Sequence, residues 1–188
     1  MTPYLLVFDN VFPSGEFHLL EDYAHIIQYQ DRKGPDGVTY KNIGLPVPPS
    51  AQEQLTQALS WLMGYRVALK ICAFRLSVEG TEPPQWAHSD AEVSKWASFM
   101  YINQGPGGTV LLKHYETEMT SHPKNQAELD AWKRDCNDPG QWEVIGSVPC
   151  RPNRGLVIPS DQIHAAVPRL GFGQSPVDGR LILWSFFD

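Results

Sequence analysis

Three side chains in this 188-residue chain have the types and the spacing to hold a metal ion. His88 and Asp90 stand two apart in PQWAHSDAEVSKWASFMYIN. On a β-strand, residues two apart face the same side, so this imidazole and carboxylate would converge. Taken alone, such a pair is a weak signal and more often two polar residues on a solvated strand face. His164 follows in PSDQIHAAVP, just after an apolar strand and at the mouth of an expected turn. Two imidazoles and one carboxylate suit a mononuclear Fe(II) site that keeps positions open for cosubstrate and oxygen. The same donors also suit zinc, and with it a hydrolase. Arg180 opens GRLILWSFFD, where a guanidinium can form a bidentate pair with a carboxylate.

Elements must position these groups, and the composition says which kind to expect. Hydrophobic residues are 42% and charged residues 19% of the chain, ordinary values for a folded globular protein. Its length suits one domain, 1–188, with a sizeable core. Sixteen prolines and fifteen glycines favour short elements joined by turns. A formal charge of −6 argues against a nucleic-acid backbone as a constitutive partner. Cys72, Cys136 and Cys150 are odd in number and read as free thiols of a reducing compartment. With no apolar leader and no membrane-spanning run, a cytoplasmic protein without membrane contact is expected.

Residues 4–8 read as a first strand, followed by a helix capped by Asp9 or Ser14. Residues 31–49 read as a polar connection, and 50–63 as an amphipathic helix capped by Ser50. Residues 1–65 thus form helical support. From residue 66 on, short β-branched and aromatic segments bounded by turn residues predict a mainly β, α+β fold, a sandwich or barrel of jelly-roll type. A polar stretch, 116–141, contains a plausible helix over NQAELDAWKRDCN and interrupts the strands as a lid, a binding loop or a decoration. His114 and Lys113 read as solvated strand-end residues. His122 and Trp132 in the insert are candidate substrate contacts, and Trp86 and Trp184 read as core or as cavity wall.

The motifs in order, H-S-D, F-M-Y-I-N, G-G-T-V, N-R-G-L-V-I-P-S-D-Q-I-H-A-A-V-P and G-R-L-I-L-W-S-F-F, resemble the Fe(II)/2-oxoglutarate-dependent oxygenase superfamily. The branch they resemble most is the prolyl-4-hydroxylase-like enzymes. The resemblance covers roughly residues 70–188. It implies a double-stranded β-helix (a cupin-like jelly roll) with N-terminal supporting helices. It implies iron held by His88, Asp90 and His164, with Arg180 gripping the distal carboxylate of 2-oxoglutarate and Tyr101 donating to that carboxylate. Gly107 and Gly108 fall on the family's Gly-Gly turn. Two features depart from the pattern. Val78 and Ser77 stand where many relatives carry a tyrosine, and PRLGFGQSPVD lengthens the interval from His164 to Arg180. Arg169 lies in that loop as a rival for the carboxylate.

The expected activity is hydroxylation of an unidentified substrate, with amino acids and peptides slightly favoured. Fe(II), 2-oxoglutarate and O2 are consumed or used, and succinate and CO2 are released. Asp90 fills the coordination position a halide would need, so hydroxylation is favoured over halogenation. The rival reading is a non-catalytic jelly-roll binding module with a structural or vestigial metal. Arg180 separates the two, because a plain module has no use for a cation there.

Overall fold

A computed structural model describes residues 4–34 and 37–188. In chain order the elements are β1 (Leu6–Asp9), α1 (Ser14–Ile26), β2 (Tyr29–Lys33), β3 (Thr39–Gly44), α2 (Pro49–Met63), β4 (Leu69–Ser77), β5 (Trp96–Tyr101) and β6 (Gly108–His114). They continue with α3 (Gln126–Asp135), a short 3-10 turn, β7 (Trp142–Pro149), β8 (Arg154–Pro159), β9 (His164–Val167) and β10 (Arg180–Phe187). The strands form a seven-stranded antiparallel sheet in the order β1-β8-β5-β10-β4-β3-β2, and a three-stranded one in the order β7-β6-β9. Two such sheets facing one another make the mainly β jelly roll that the sequence predicts.

The inner strands β5, β8 and β10 of the large sheet are buried on both faces, which is why they read as almost continuous apolar runs. Phe74 and Leu76 of β4, Met100 of β5 and Leu181, Leu183 and Phe187 of β10 face the helices. Phe17, Leu20 and Ala24 of α1 meet them there, with Leu55 and Leu59 of α2. The alternate residues, Phe99 and Tyr101 of β5 and Ile182 and Phe186 of β10, point between the sheets and meet Leu111 and Val148. At the Gly107–Gly108 turn the backbones nearly touch. A β-carbon on Gly107 would collide with the Val167 carbonyl, and one on Gly108 with that of Val148.

The N-terminal part differs from the expectation in three ways. Residues 31–49 are not a plain connection, because β2 and β3 pair as an antiparallel hairpin and join β4 through Ile43↔Arg75 and Gly44↔Phe74. Most hairpin residues are exposed, so no apolar alternation announced them. β1 pairs with β8 at the opposite edge, so residues 1–65 supply strands to the sheet as well as helices. The helix caps fall on Pro13 and Pro48, neither of which offers a side-chain bond. Ser14 is already the first helical residue, and Ser50 lies inside the first turn of α2. Among the described residues, no helix is long and apolar enough to cross a membrane.

Candidate metal centre

His88, Asp90 and His164 come together so that one ligand atom from each lies within 4.8 Å of the others. No regular strand runs through 88–90, contrary to the strand expected there. The backbone is extended and docks against β9 by a single bridge. The His88 N–H donates to the His164 carbonyl at 3.1 Å, and the His164 N–H donates back at 2.9 Å. The Asp90 N–H donates to the Ser160 carbonyl at 2.7 Å, which turns its carboxylate to 3.5 Å from the His164 Nε2. His164 is the first residue of β9, not a turn residue beyond a strand.

Both imidazoles are oriented by backbone. The Nδ1 of His88 lies 3.1 Å from the Trp86 carbonyl, and that of His164 lies 2.9 Å from the Gln162 carbonyl. A carbonyl only accepts, so each Nδ1 carries the proton and each Nε2 keeps its lone pair for the centre. Burial, and then the neighbouring His164 ring, holds the His88 imidazole well below its usual range, in the neutral, metal-binding form. Loss of water raises the Asp90 carboxyl, while His164 and Arg75 pull it back down.

Next to the triad is a small cavity whose lining includes Arg75, Ser77, His88, Arg169 and Arg180. Arg180 is 8% exposed, opens β10 opposite Ser77 and donates from Nη2 to the Ser77 hydroxyl at 3.2 Å. Its Nε is buried without a partner. Burial and the charge of Arg75 lower its pKa to about 10. Arg75, which the sequence reading passed over, sits two residues before Ser77 and so on the same inward face of β4. A cation in the middle of the apolar run of β4, away from Lys70 at its start, was the signal that could have found it. Asp90 acts on the Arg75 charge across the site.

Tyr101 also points inward, one strand from Arg180, and burial pushes its phenol up to about 12. Its hydroxyl lies 2.8 Å from the Thr109 Oγ1, with the Val148 carbonyl 3.3 Å away. Trp86 lines the cavity and donates from Nε1 to the Ala166 carbonyl at 3.2 Å. Trp184 faces inward with its indole Nε1 buried and without a partner.

The insert is bonded to both segments that carry the triad. Trp132 donates from Nε1 to the Ala87 carbonyl at 2.9 Å, and the Ala87 N–H donates to the Cys136 carbonyl at 2.9 Å. The Trp86 N–H donates to the Asn137 side-chain oxygen at 2.9 Å. His122 reaches the Ser89 hydroxyl at 2.8 Å, and the Ile163 N–H donates to the Thr120 carbonyl at 2.8 Å. The insert helix begins where Asn125 accepts the Glu128 N–H at 3.0 Å, a side-chain N-cap. His114 is not a solvated strand end. It is fully buried, and its Nε2 lies 3.0 Å from the Asp135 carboxylate at the end of α3.

No family model matches the sequence, and no curated protein sequence is similar to it. Solved structures are similar in fold. An oxidoreductase of the 2OG-Fe(II) oxygenase family from Burkholderia pseudomallei is 11% identical, with a TM-score of 0.57 over 98% of this chain and 84% of its own. The epimerase SnoN in complex with Fe3+, alpha-ketoglutarate and nogalamycin RO is 12% identical, with a TM-score of 0.60 over 99% of this chain and 79% of its own. EctD from S. alaskensis with 2-oxoglutarate and 5-hydroxyectoine is 11% identical, with a TM-score of 0.56 over 100% of this chain and 72% of its own. From β1 to β10, the chain shares the fold of these solved structures.

Proposed function

We propose that the protein is an Fe(II)- and 2-oxoglutarate-dependent oxygenase that hydroxylates its substrate. The observation that carries this reading is the pairing of two features side by side, joined by the cavity that His88 and Arg180 both line. Two imidazoles and a carboxylate converge within 4.8 Å, and a buried guanidinium with an orphaned Nε stands on β10 of the facing sheet. The donor set fits Fe(II) with positions left open, and the orphaned Nε fits a carboxylate. A binding module with a structural metal would have no reason to bury Arg180 unpaired.

When bound, iron and 2-oxoglutarate supply the oxidising power, drawn from O2 with release of succinate and CO2. The chain's part is positioning and exclusion of water. His88 and His164 present Nε2, and Asp90 presents its carboxylate in the place a halide would take, which supports hydroxylation over halogenation. Arg180 holds the distal carboxylate of 2-oxoglutarate. Tyr101 turns its hydroxyl from Thr109 to the same group. Arg75, near Asp90, faces the carboxylate nearer the metal. SnoN is named an epimerase, so the reading is made at the level of the superfamily and not of its prolyl-4-hydroxylase-like branch. The fold supports epimerisation as a second outcome of the same machinery.

The test is a screen of candidate substrates with Fe(II) and 2-oxoglutarate, measuring succinate and product mass together. Hydroxylation predicts succinate matched by a product heavier by one oxygen atom. Succinate with a product of unchanged mass selects epimerisation, and no succinate from any metal-loaded preparation removes the oxygenase reading.

A further inference from the structure

We propose that the primary substrate carries an oxyanion, a carboxylate or a phosphate, and that Arg169 is the residue that binds it; this rests on the oxygenase reading above. The first observation is the lining of the cavity beside the metal centre. It contains three guanidiniums, those of Arg75, Arg169 and Arg180, and no carboxylate. Each of the three has its Nε buried without a hydrogen-bond partner. A buried polar N–H left unpaired is costly, and native folds rarely tolerate it without a ligand to answer it. Three around one cavity point to more than one anionic group.

2-Oxoglutarate answers two of them. Arg75 and Arg180 project from the paired strands β4 and β10 onto the same inner face, near enough that the charge of Arg75 weakens that of Arg180. One carboxylate at the metal beside Arg75 and one at Arg180 use up a dicarboxylate. Arg169 is left over, and it belongs to a different part of the molecule. It comes from the loop after β9, with its Nη1 fixed at 2.7 Å from the Asn137 carbonyl and its Nη2 at 3.5 Å from the Asn137 side-chain oxygen. Those partners are neutral, so they orient the guanidinium without cancelling its charge.

Its position suits the outer ligand. Leu170, the next residue, lines an open cleft of about 440 Å3, and Thr81 lines both that cleft and the inner cavity. Thr81 is tied there by its N–H, which donates to the Leu170 carbonyl at 3.1 Å. Arg169 therefore stands where the cleft meets the cavity, on the path of a molecule reaching the metal from outside.

The experiment uses the full chain loaded with an inert divalent metal and saturated with 2-oxoglutarate, so that Arg75 and Arg180 are occupied. Melting temperature is then followed against acetate and against inorganic phosphate at constant ionic strength. At roughly ten times its dissociation constant, the preferred anion adds a further shift of about 3–6 °C. Preference for acetate assigns a carboxylate substrate, and preference for phosphate a phosphorylated one. Arg169→Gln, which keeps a polar tie to Asn137 but no charge, loses the added shift and keeps the shift given by 2-oxoglutarate. Arg169→Lys keeps part of the added shift. The inference is overturned if neither anion adds a shift, or if the shift survives Arg169→Gln. It is also overturned if Arg169→Gln removes the 2-oxoglutarate shift, which would place Arg169 on the cosubstrate. Should 2-oxoglutarate itself give no shift while an anion shift still depends on Arg169, the oxygenase reading fails and the anion site stands.

Discussion

The two faces of β4 and β10 are built from the same strands to opposite ends. Toward the helices they present Phe74, Leu76, Leu181, Leu183 and Phe187, all buried in one apolar cluster. Toward the smaller sheet they present Ile182 and Phe186 together with Arg75, Ser77 and Arg180. The first face accounts for itself by packing. The second holds two guanidiniums, one of which weakens the charge of the other, and leaves each Nε unpaired. Stability does not explain the burial of Arg180, because a buried charge with no carboxylate acting on it works against folding. The proposed function supplies the missing partner, an anion that arrives later.

The contrast is broken most completely at the centre itself. His88→Ala, Asp90→Ala and His164→Ala should each lose bound metal and iron-dependent turnover while melting near the wild-type temperature. Elemental analysis and a thermal scan check this, and full metal content in any one variant removes that residue from the centre. On the helix-facing side the effect is reversed in kind. Phe74, which is 0% exposed, should cost about 3–5 kcal/mol when changed to alanine, lowering the melting temperature by roughly 6–20 °C without touching the cavity.

Arg180→Met sharpens the comparison, because here function and stability should move in opposite directions. A cation whose pKa is lowered on folding, here to about 10, opposes the fold while it is charged. The penalty is fully present below pH 10 and is relieved only as pH climbs from there toward the unfolded value, so it operates at neutral pH. Arg180→Met should therefore stabilise the ligand-free protein at pH 7 by about 1–3 kcal/mol and abolish the stabilisation given by 2-oxoglutarate. Loss of stability in the ligand-free variant would mean that Arg180 is structural.

The fold was legible to the degree that burial writes itself into residue type. β5, β8 and β10 are buried on both faces and read as apolar runs. β2 and β3 are largely exposed and read as a connection. His88 and His164 could be matched because each stands in an order of motifs, whereas their meeting through one bridge leaves no periodicity to find. Arg75 was hidden by its setting, since LKICAFRLS also carries Lys70, and cations along a strand are what a solvated face offers. His114 looked like a strand end because its partner, Asp135, lies across the insert and is not adjacent in sequence.

Smaller effects probe the insert and the outer edge. Trp132→Phe removes the bond to the Ala87 carbonyl beside His88 and should weaken metal binding by up to about tenfold, measured by competition with a chelator. Unchanged affinity would show that the insert does not brace the centre. Asp9 and Arg154 form a two-bond pair at 2.6 and 2.8 Å that ties β1 to β8 on the surface. The Arg154 guanidinium holds the Asp9 carboxyl below its usual range, so its contribution is present above the ordinary carboxylate pKa and lost as pH falls through the lowered one. Because Asp9 is exposed, Asp9→Asn should cost only about 0.2–1 kcal/mol at neutral pH and nothing in acid.

The central claim is tested most directly by a crystal structure of the protein with manganese and 2-oxoglutarate, using the metal's anomalous signal. The account predicts the metal between the Nε2 atoms of His88 and His164 and the carboxylate of Asp90, with the distal carboxylate of 2-oxoglutarate against the Nε of Arg180. Metal at other residues, or 2-oxoglutarate bound away from Arg180, would contradict it.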